Sequence, residues 1–431
     1  MEQTYFRRGF GLKGDIEGAL AADYHSRVVD RIRGHGYALT LGDLTFKLAR
    51  EFGFCYGVDR AVEYAYETRT KFPDRRLLLV GEIIHNPHVN AKLRAMGVEC
   101  LHRPEGGEFD FKGVTADDVV LLPAFGVTVQ DFERLRAIGC VLVDTTCGSV
   151  LNVWKRVESY ARDGFTAIIH GKHYHEETKA TSSQVTKYPA GRYLVVRDMA
   201  EGQEVCRYIE GAGSGERFLQ RFAGKMSPGF DPDRDLVHVG VANQTTMLSG
   251  ESLAIAAELR KALAKRYGAA ALPQHFRTFD TICSATQDRQ DAVLKLIVEP
   301  LDVMVVIGGY NSSNTTHLAA ICQEHVPTYH IEDAACIDAD GDAIRFRPVG
   351  AQAERRLSGW LPAGPVTVGV TAGASTPNNK IGETIERIAA ARGLSPAIFE
   401  LCPCPASIPP QSAGSSRVSG SRPSRSGVLG P

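Results

Sequence analysis

The chain has 431 residues, of which 43% are hydrophobic and 23% charged, and its formal net charge is -1. That length accommodates two or three domains with full cores, and the near-neutral balance excludes a nucleic-acid binder held by bulk electrostatics. The first thirty residues mix acidic and basic side chains without the apolar stretch of a secretory signal or transit peptide, and no run approaches a membrane span, which predicts a cytoplasmic protein with no membrane partner.

Residues 1–42 read as a helical N-terminal extension whose core is Ile16 to Ile32, leading into a strand at Leu44 to Ala49. Phe52-Gly53-Phe54-Cys55 then ends an apolar run, and Val58, Ala61, Val62 and Ala65 follow at helical spacing. A strand at Leu77 to Val80 breaks into the polar stretch containing His85, and another at Val119 to Leu122 breaks into Pro123-Ala124-Phe125-Gly126-Val127. The order then repeats. Asp144-Thr145-Thr146-Cys147 precedes a helix, Thr166 to Ile169 opens into the loop with His175, Glu176 and Glu177, and Leu236 to Val241 opens into Gln244-Thr245-Thr246. It repeats again after Asp280-Thr281-Ile282-Cys283, with Val303 to Ile307 opening into Ser312-Ser313-Asn314 and Val366 to Val370 opening into the turn with Ser375. Intervening helices are expected at Val89 to Met96, Phe132 to Ile138, Ser252 to Tyr267, Thr316 to His325 and Ile381 to Arg392.

This alternation predicts an α/β fold of three pseudo-symmetric units with small parallel sheets, at 43–146, 147–282 and 283–404, around one central site. Ligands bind such sheets beyond the carboxyl ends of the strands, where the cysteines and polar tips all fall. The segment from 405 onward, rich in Pro, Ser, Gly and Arg, reads as a disordered tail, and Cys402-x-Cys404 just before it as incidental.

In a reducing compartment ten cysteines do not form a disulfide framework. Three thiolates at strand-to-helix turns suit either a four-iron, four-sulfur cluster with one iron left open or zinc with a free position. Serine, threonine, asparagine and histidine beside small residues can bind phosphate, although each tip alone could equally be a helix cap. Glu177 near an open metal position could pass a proton, or be a solvated surface acid. Neither G-x-G-x-x-G nor a Walker sequence occurs, so electrons must come from a protein carrier.

The ordered set GFCYGVDRAV, EIIHNPHV, DTTC, HEET, QTTM, DTICSATQDRQ, YNSSNTTHL and GVTAGAST resembles the 4-hydroxy-3-methylbut-2-enyl diphosphate reductase family from about Leu44 to Glu400. The resemblance implies reductive dehydroxylation of that allylic diphosphate to isopentenyl and dimethylallyl diphosphate, the last step of the non-mevalonate isoprenoid pathway. It implies one 4Fe-4S cluster on Cys55, Cys147 and Cys283. The substrate diphosphate would lie on His85, His175, Thr246, Ser312, Ser313, Asn314 and Ser375, with Glu177 relaying protons and Thr245 beside the substrate hydroxyl. Phe125 departs from the family, standing where many members carry a diphosphate-contacting histidine, and Gly148 stands where many carry proline. Phe125, the extension and the segment from Met199 to Asp235 resemble the plant and cyanobacterial branch, which favours ferredoxin over flavodoxin as electron donor. A quinolinate-synthase-like iron-sulfur dehydratase and a non-catalytic iron-sulfur redox sensor are the competing readings.

Overall fold

The structure is a computed structural model that describes residues 4–104, 107–279, 281–340 and 342–401. Asp280, the pair Cys402 and Cys404, and the segment from Pro405 lie outside the described residues.

Three sheets carry the molecule. The first runs Tyr5–Phe6 (β1), Val141–Asp144 (β7), Val119–Leu122 (β6), Leu77–Val80 (β4), Val98–Leu101 (β5), all parallel. The second runs Phe276–Thr278 (β11), Val239–Asn243 (β10), Thr166–His170 (β8), Tyr193–Val196 (β9), again parallel. The third runs Thr328–Ile331 (β13), Val303–Ile307 (β12), Val366–Ala372 (β17), Leu44–Leu48 (β3), Ala38–Leu41 (β2), parallel but for the antiparallel pair β2 and β3. A small antiparallel sheet of Ile337–Asp338 (β14), Ala343–Phe346 (β15) and Arg355–Ser358 (β16) completes the set.

Without β1 and β2 the parallel sheets have one topology: β7-β6-β4-β5, β11-β10-β8-β9 and β3-β17-β12-β13. The expected threefold repeat is therefore real, with a correction to its boundary. The strand expected to open the first unit, β3, is the closing strand of the third sheet. Without it β17, a central strand buried along most of its length, would be a bare edge; Leu44 and Phe46 instead lie fully buried against Val368 and Val370. The first unit begins at Cys55.

The extension is helical as expected and carries two helices. Lys13–Tyr24 ends at His25, and Ser26 starts Arg27–Gly34 by accepting a hydrogen bond from the Val29 N–H. Ile16 packs with Ala61 and Val62 of the first unit, whereas Val29 and Ile32 pack with Ile381 and Ile385 of the third. The extension thus bridges two units. The strand expected from Leu236 starts only at Val239, because Pro232–Asp235 forms a helical turn capped by Asp231. Among the described residues no helix is long and apolar enough to cross a membrane.

Candidate active site

Cys55, Cys147 and Cys283 are the N-cap residues of helices Tyr56–Lys71, Gly148–Arg162 and Ser284–Leu296. Each follows the last strand of one sheet, β3, β7 and β11 in turn, and opens the helix that packs on the next sheet, with Ala61 and Val62 on the first, Val153 and Val157 on the second, and Ala292 and Val293 on the third. The three places where the chain passes from unit to unit therefore carry the three cysteines.

Their sulfurs are close together. A Cβ added to Gly57 would stand 2.4 Å from Cys147 Sγ and 3.9 Å from Cys55 Sγ, so glycine is required there for lack of room. Ser149 Oγ donates to Cys283 Sγ at 3.3 Å from the first turn of the Cys147 helix. None of the three thiols caps its helix through the side chain. Burial pushes the Cys55 and Cys147 thiols up, while helix-end N–H groups (Val58 for Cys55, Ser149 and Val150 for Cys147) and the Arg289 charge near Cys55 pull the other way. Two arginines brace the turns: the buried Arg289 donates to the carbonyls of Gly53 and Phe54, and the half-buried Arg60 to that of Thr146.

Glu177 lies in the first turn of helix Glu176–Ser183 and is buried. Its carboxylate accepts from the Thr245 N–H at 2.6 Å and from Thr245 Oγ1 at 3.0 Å. Burial raises its pKa from 4.5 to about 7 against the pull of those two bonds. It is poised to hold or release a proton near neutrality, so the reading as a solvated surface acid is excluded.

The polar tips of the three units meet. His85 follows β4, and its ring stands 5.0 Å from that of His175, the N-cap of the Glu177 helix. Ser312 caps helix Ser313–Gln323, and Asn314 Oδ1 accepts from the Ala374 N–H beside Ser375. Ser375 Oγ donates to the His85 carbonyl at 3.2 Å, joining third unit to first. Thr246 faces inward less directly: its hydroxyl accepts from Gln244 Nε2 and its carbonyl bonds His317.

Two buried nitrogens at these tips, His85 Nε2 and Asn314 Nδ2, have no hydrogen-bond partner among the described residues, although Glu176 Oε2 stands 3.7 Å from the first and His85 Nδ1 donates to the Glu82 carboxylate at 3.0 Å. Such atoms are costly unless a ligand satisfies them. His85, His175 and Glu176 are also close enough to hold a metal ion. Yet His175 Nδ1 accepts from the Glu177 N–H, so its proton sits on Nε2, and burial holds the ring neutral. That nitrogen is a donor, which suits an anion. Phe125 stacks on His85 at 4.7 Å and 14° and offers no donor.

Two residues of this constellation escaped sequence reasoning. Gln244 bonds the Lys172 N–H, Thr178 and Ser313, tying second unit to third, and Lys172 Nζ donates to Ser313 Oγ. Both stand inside stretches whose position at strand tips was the available signal.

Residues 46–389 match the family model described as LytB protein. The chain is 50% identical over 396 residues to the 4-hydroxy-3-methylbut-2-enyl diphosphate reductase of Gloeobacter violaceus, covering 91% of this chain and 94% of that one. It is 51% identical over 387 residues to the reductase of the same name from Synechococcus sp. strain RCC307, covering 90% and 93%. The solved E-1-hydroxy-2-methyl-but-2-enyl-4-diphosphate reductase of Plasmodium falciparum superposes with a TM-score of 0.58 at 20% identity, over 80% of this chain and 87% of that one, a likeness of fold.

Proposed function

The chain belongs to the LytB protein family, and on that premise we propose that it reduces (E)-4-hydroxy-3-methylbut-2-enyl diphosphate to isopentenyl and dimethylallyl diphosphate. In that reaction the allylic C–O bond breaks, the hydroxyl leaves as water, and two electrons and two protons are consumed. The observation that carries the reading is the convergence of Cys55, Cys147 and Cys283 where the three units hand the chain on.

The family is one of iron-sulfur enzymes, and the donor set here fits a 4Fe-4S cluster. All three sulfurs stand at rigid helix starts, and backbone N–H groups directed at Cys55 and Cys147 favour their thiolates once a cationic group is present. Cys55, Cys147 and Cys283 would hold that cluster. When bound, it supplies electrons and a Lewis-acidic iron with a free position.

The remaining work belongs to the chain. His85, His175 Nε2 and Asn314 Nδ2, with the hydroxyls of Ser312, Ser313 and Ser375 and the N-terminus of helix Ser313–Gln323, bind and orient the diphosphate. Thr246 keeps Gln244 and His317 in place at the edge of that cradle. Glu177, whose pKa of about 7 keeps a protonated fraction available at neutral pH, delivers its proton to the departing hydroxyl, and Thr245 fixes the carboxyl's orientation while its own oxygen faces the substrate.

Electrons come from a small protein carrier, ferredoxin in preference to flavodoxin, and three unpaired cysteines suit the reducing cytoplasm. A quinolinate-synthase-like dehydratase would need a dicarboxylate cradle, and a sensor would have no use for a buried acid such as Glu177. Glu177→Gln tests the assignment: cluster absorbance should persist while turnover of the allylic diphosphate falls by about 100-fold or more. Undiminished turnover would overturn it.

A further inference from the structure

The donors assigned above are mostly neutral. Burial keeps His175 uncharged, Phe125 contributes no donor, and serine and asparagine carry no charge. A diphosphate brings several negative charges into the same place, so a cation is missing from the account.

Lys172 fills that gap. It lies two residues beyond β8, on a loop held by its own N–H to Gln244 Oε1 at 3.1 Å. Its ammonium donates to Ser313 Oγ at 3.1 Å, and among the described residues no carboxylate lies within ion-pair distance of it. Arg347 stands close by with its guanidinium bonded to the Tyr310 carbonyl and 4.3 Å over the Tyr310 ring, likewise without a carboxylate. Burial, reinforced by the Arg347 charge, holds the Lys172 ammonium below its ordinary pKa. Both cations line one cavity of about 760 Å³ together with His85, Phe125 and His175. The cavity is also lined by Glu82 and Glu176, but these stand beside His85; the partly desolvated Lys172 ammonium has no carboxylate partner among the described residues and is costly until an anion enters.

We propose that Lys172, with Arg347 beside it, is the fixed positive charge that binds the substrate's diphosphate in this chain, in the cavity where Phe125 offers no donor. The proposal rests on the reductase reading for the identity of the ligand, and on the unpaired cations for its place. Lys172 is a binding residue in this account. It anchors the end of the substrate remote from the reacting carbon, so its loss weakens binding and leaves the chemical step largely intact.

The test uses anaerobically reconstituted holoenzyme and two readouts. Isothermal titration with inorganic diphosphate should show Lys172→Met weakened by about ten- to 100-fold, Lys172→Arg close to the parent, and Arg347→Gln weakened less than Lys172→Met. Steady-state turnover of the allylic diphosphate should show KM rising by a similar factor for Lys172→Met while kcat stays within about threefold. Diphosphate affinity unchanged in Lys172→Met overturns the proposal; should that variant not fold, unchanged affinity in both Lys172→Gln and Arg347→Gln does so. The two readings fail separately. A parent protein that binds diphosphate through Lys172 but does not reduce the allylic diphosphate sinks the reductase assignment alone, and an active parent whose diphosphate binding ignores Lys172 sinks this one alone.

Discussion

A carboxyl group with no water around it ionises late, and Glu177 does so at about 7 because burial outweighs the two bonds from Thr245. As a proton donor it works in its protonated form, so turnover should decline as pH rises through about 7. Removing the Thr245 hydroxyl takes away a bond that favours the charged carboxylate. Thr245→Val should therefore move the declining limb of the pH–rate profile to higher pH, and a limb that stays put or moves down would contradict the pairing. The stability consequence has the same sign: the folded pKa lies above 4.5, so the contribution of this group is fully present below pH 4.5 and is lost as pH rises through about 7. Gly57 sets a steric rather than an electrostatic condition. Gly57→Ala should leave the helix formed, since alanine is a better helix former, yet expel iron because its Cβ occupies the space beside Cys147 Sγ. Far-ultraviolet circular dichroism and iron content read the two effects separately.

Helix starts do the positioning, and the strand that precedes each cysteine aims it. Arg289, on the helix that Cys283 opens, reaches back to the carbonyls of Gly53 and Phe54 just before Cys55, so one cysteine turn is braced by the element carrying another. Arg289→Ala leaves two buried acceptors without donors and should destabilise the protein by about 2 to 4 kcal/mol in urea titration. A change below about 0.5 kcal/mol would show that the bracing is idle. At this scale the sequence was a good guide where pattern and motif coincide. The three cysteine turns, the central strands and the inward tips were all legible, because fully apolar runs ending in small polar residues have few other meanings. The partners of strands were not. β5, β9 and β13 went unread, being edge strands of only four residues, too short for a pattern to stand out. β3 was placed in the wrong unit because local pattern carries no information on which sheet a strand joins across 300 residues of chain. Gln244 and Lys172 were visible as letters and unreadable as partners, since their meaning lies in the approach of the second unit to the third.

The whole molecule is a ring of three like sheets closed by the chain's own beginning, which lends β3 to the last sheet and lays two helices across the seam between first and third units. The seam is specific: the Phe10 and Leu12 N–H groups donate to the Glu67 carboxylate, and Asn379 donates to the Asp23 carbonyl. Deleting residues 1–34 uncovers apolar side chains on both units and should lower the melting temperature by about 5 °C or more, read by circular dichroism. An unchanged melting temperature would mean that the two helices merely rest on the surface. Convergence of three sulfur ligands from three units on one cluster is the central claim, and electron paramagnetic resonance of the dithionite-reduced holoenzyme under anaerobic conditions, with and without the allylic diphosphate, tests it most directly. The account predicts a signal of one 4Fe-4S cluster that changes on adding the diphosphate and disappears, with the iron, in Cys55→Ser, Cys147→Ser and Cys283→Ser alike; a full, unaltered signal in any one of those variants would contradict it.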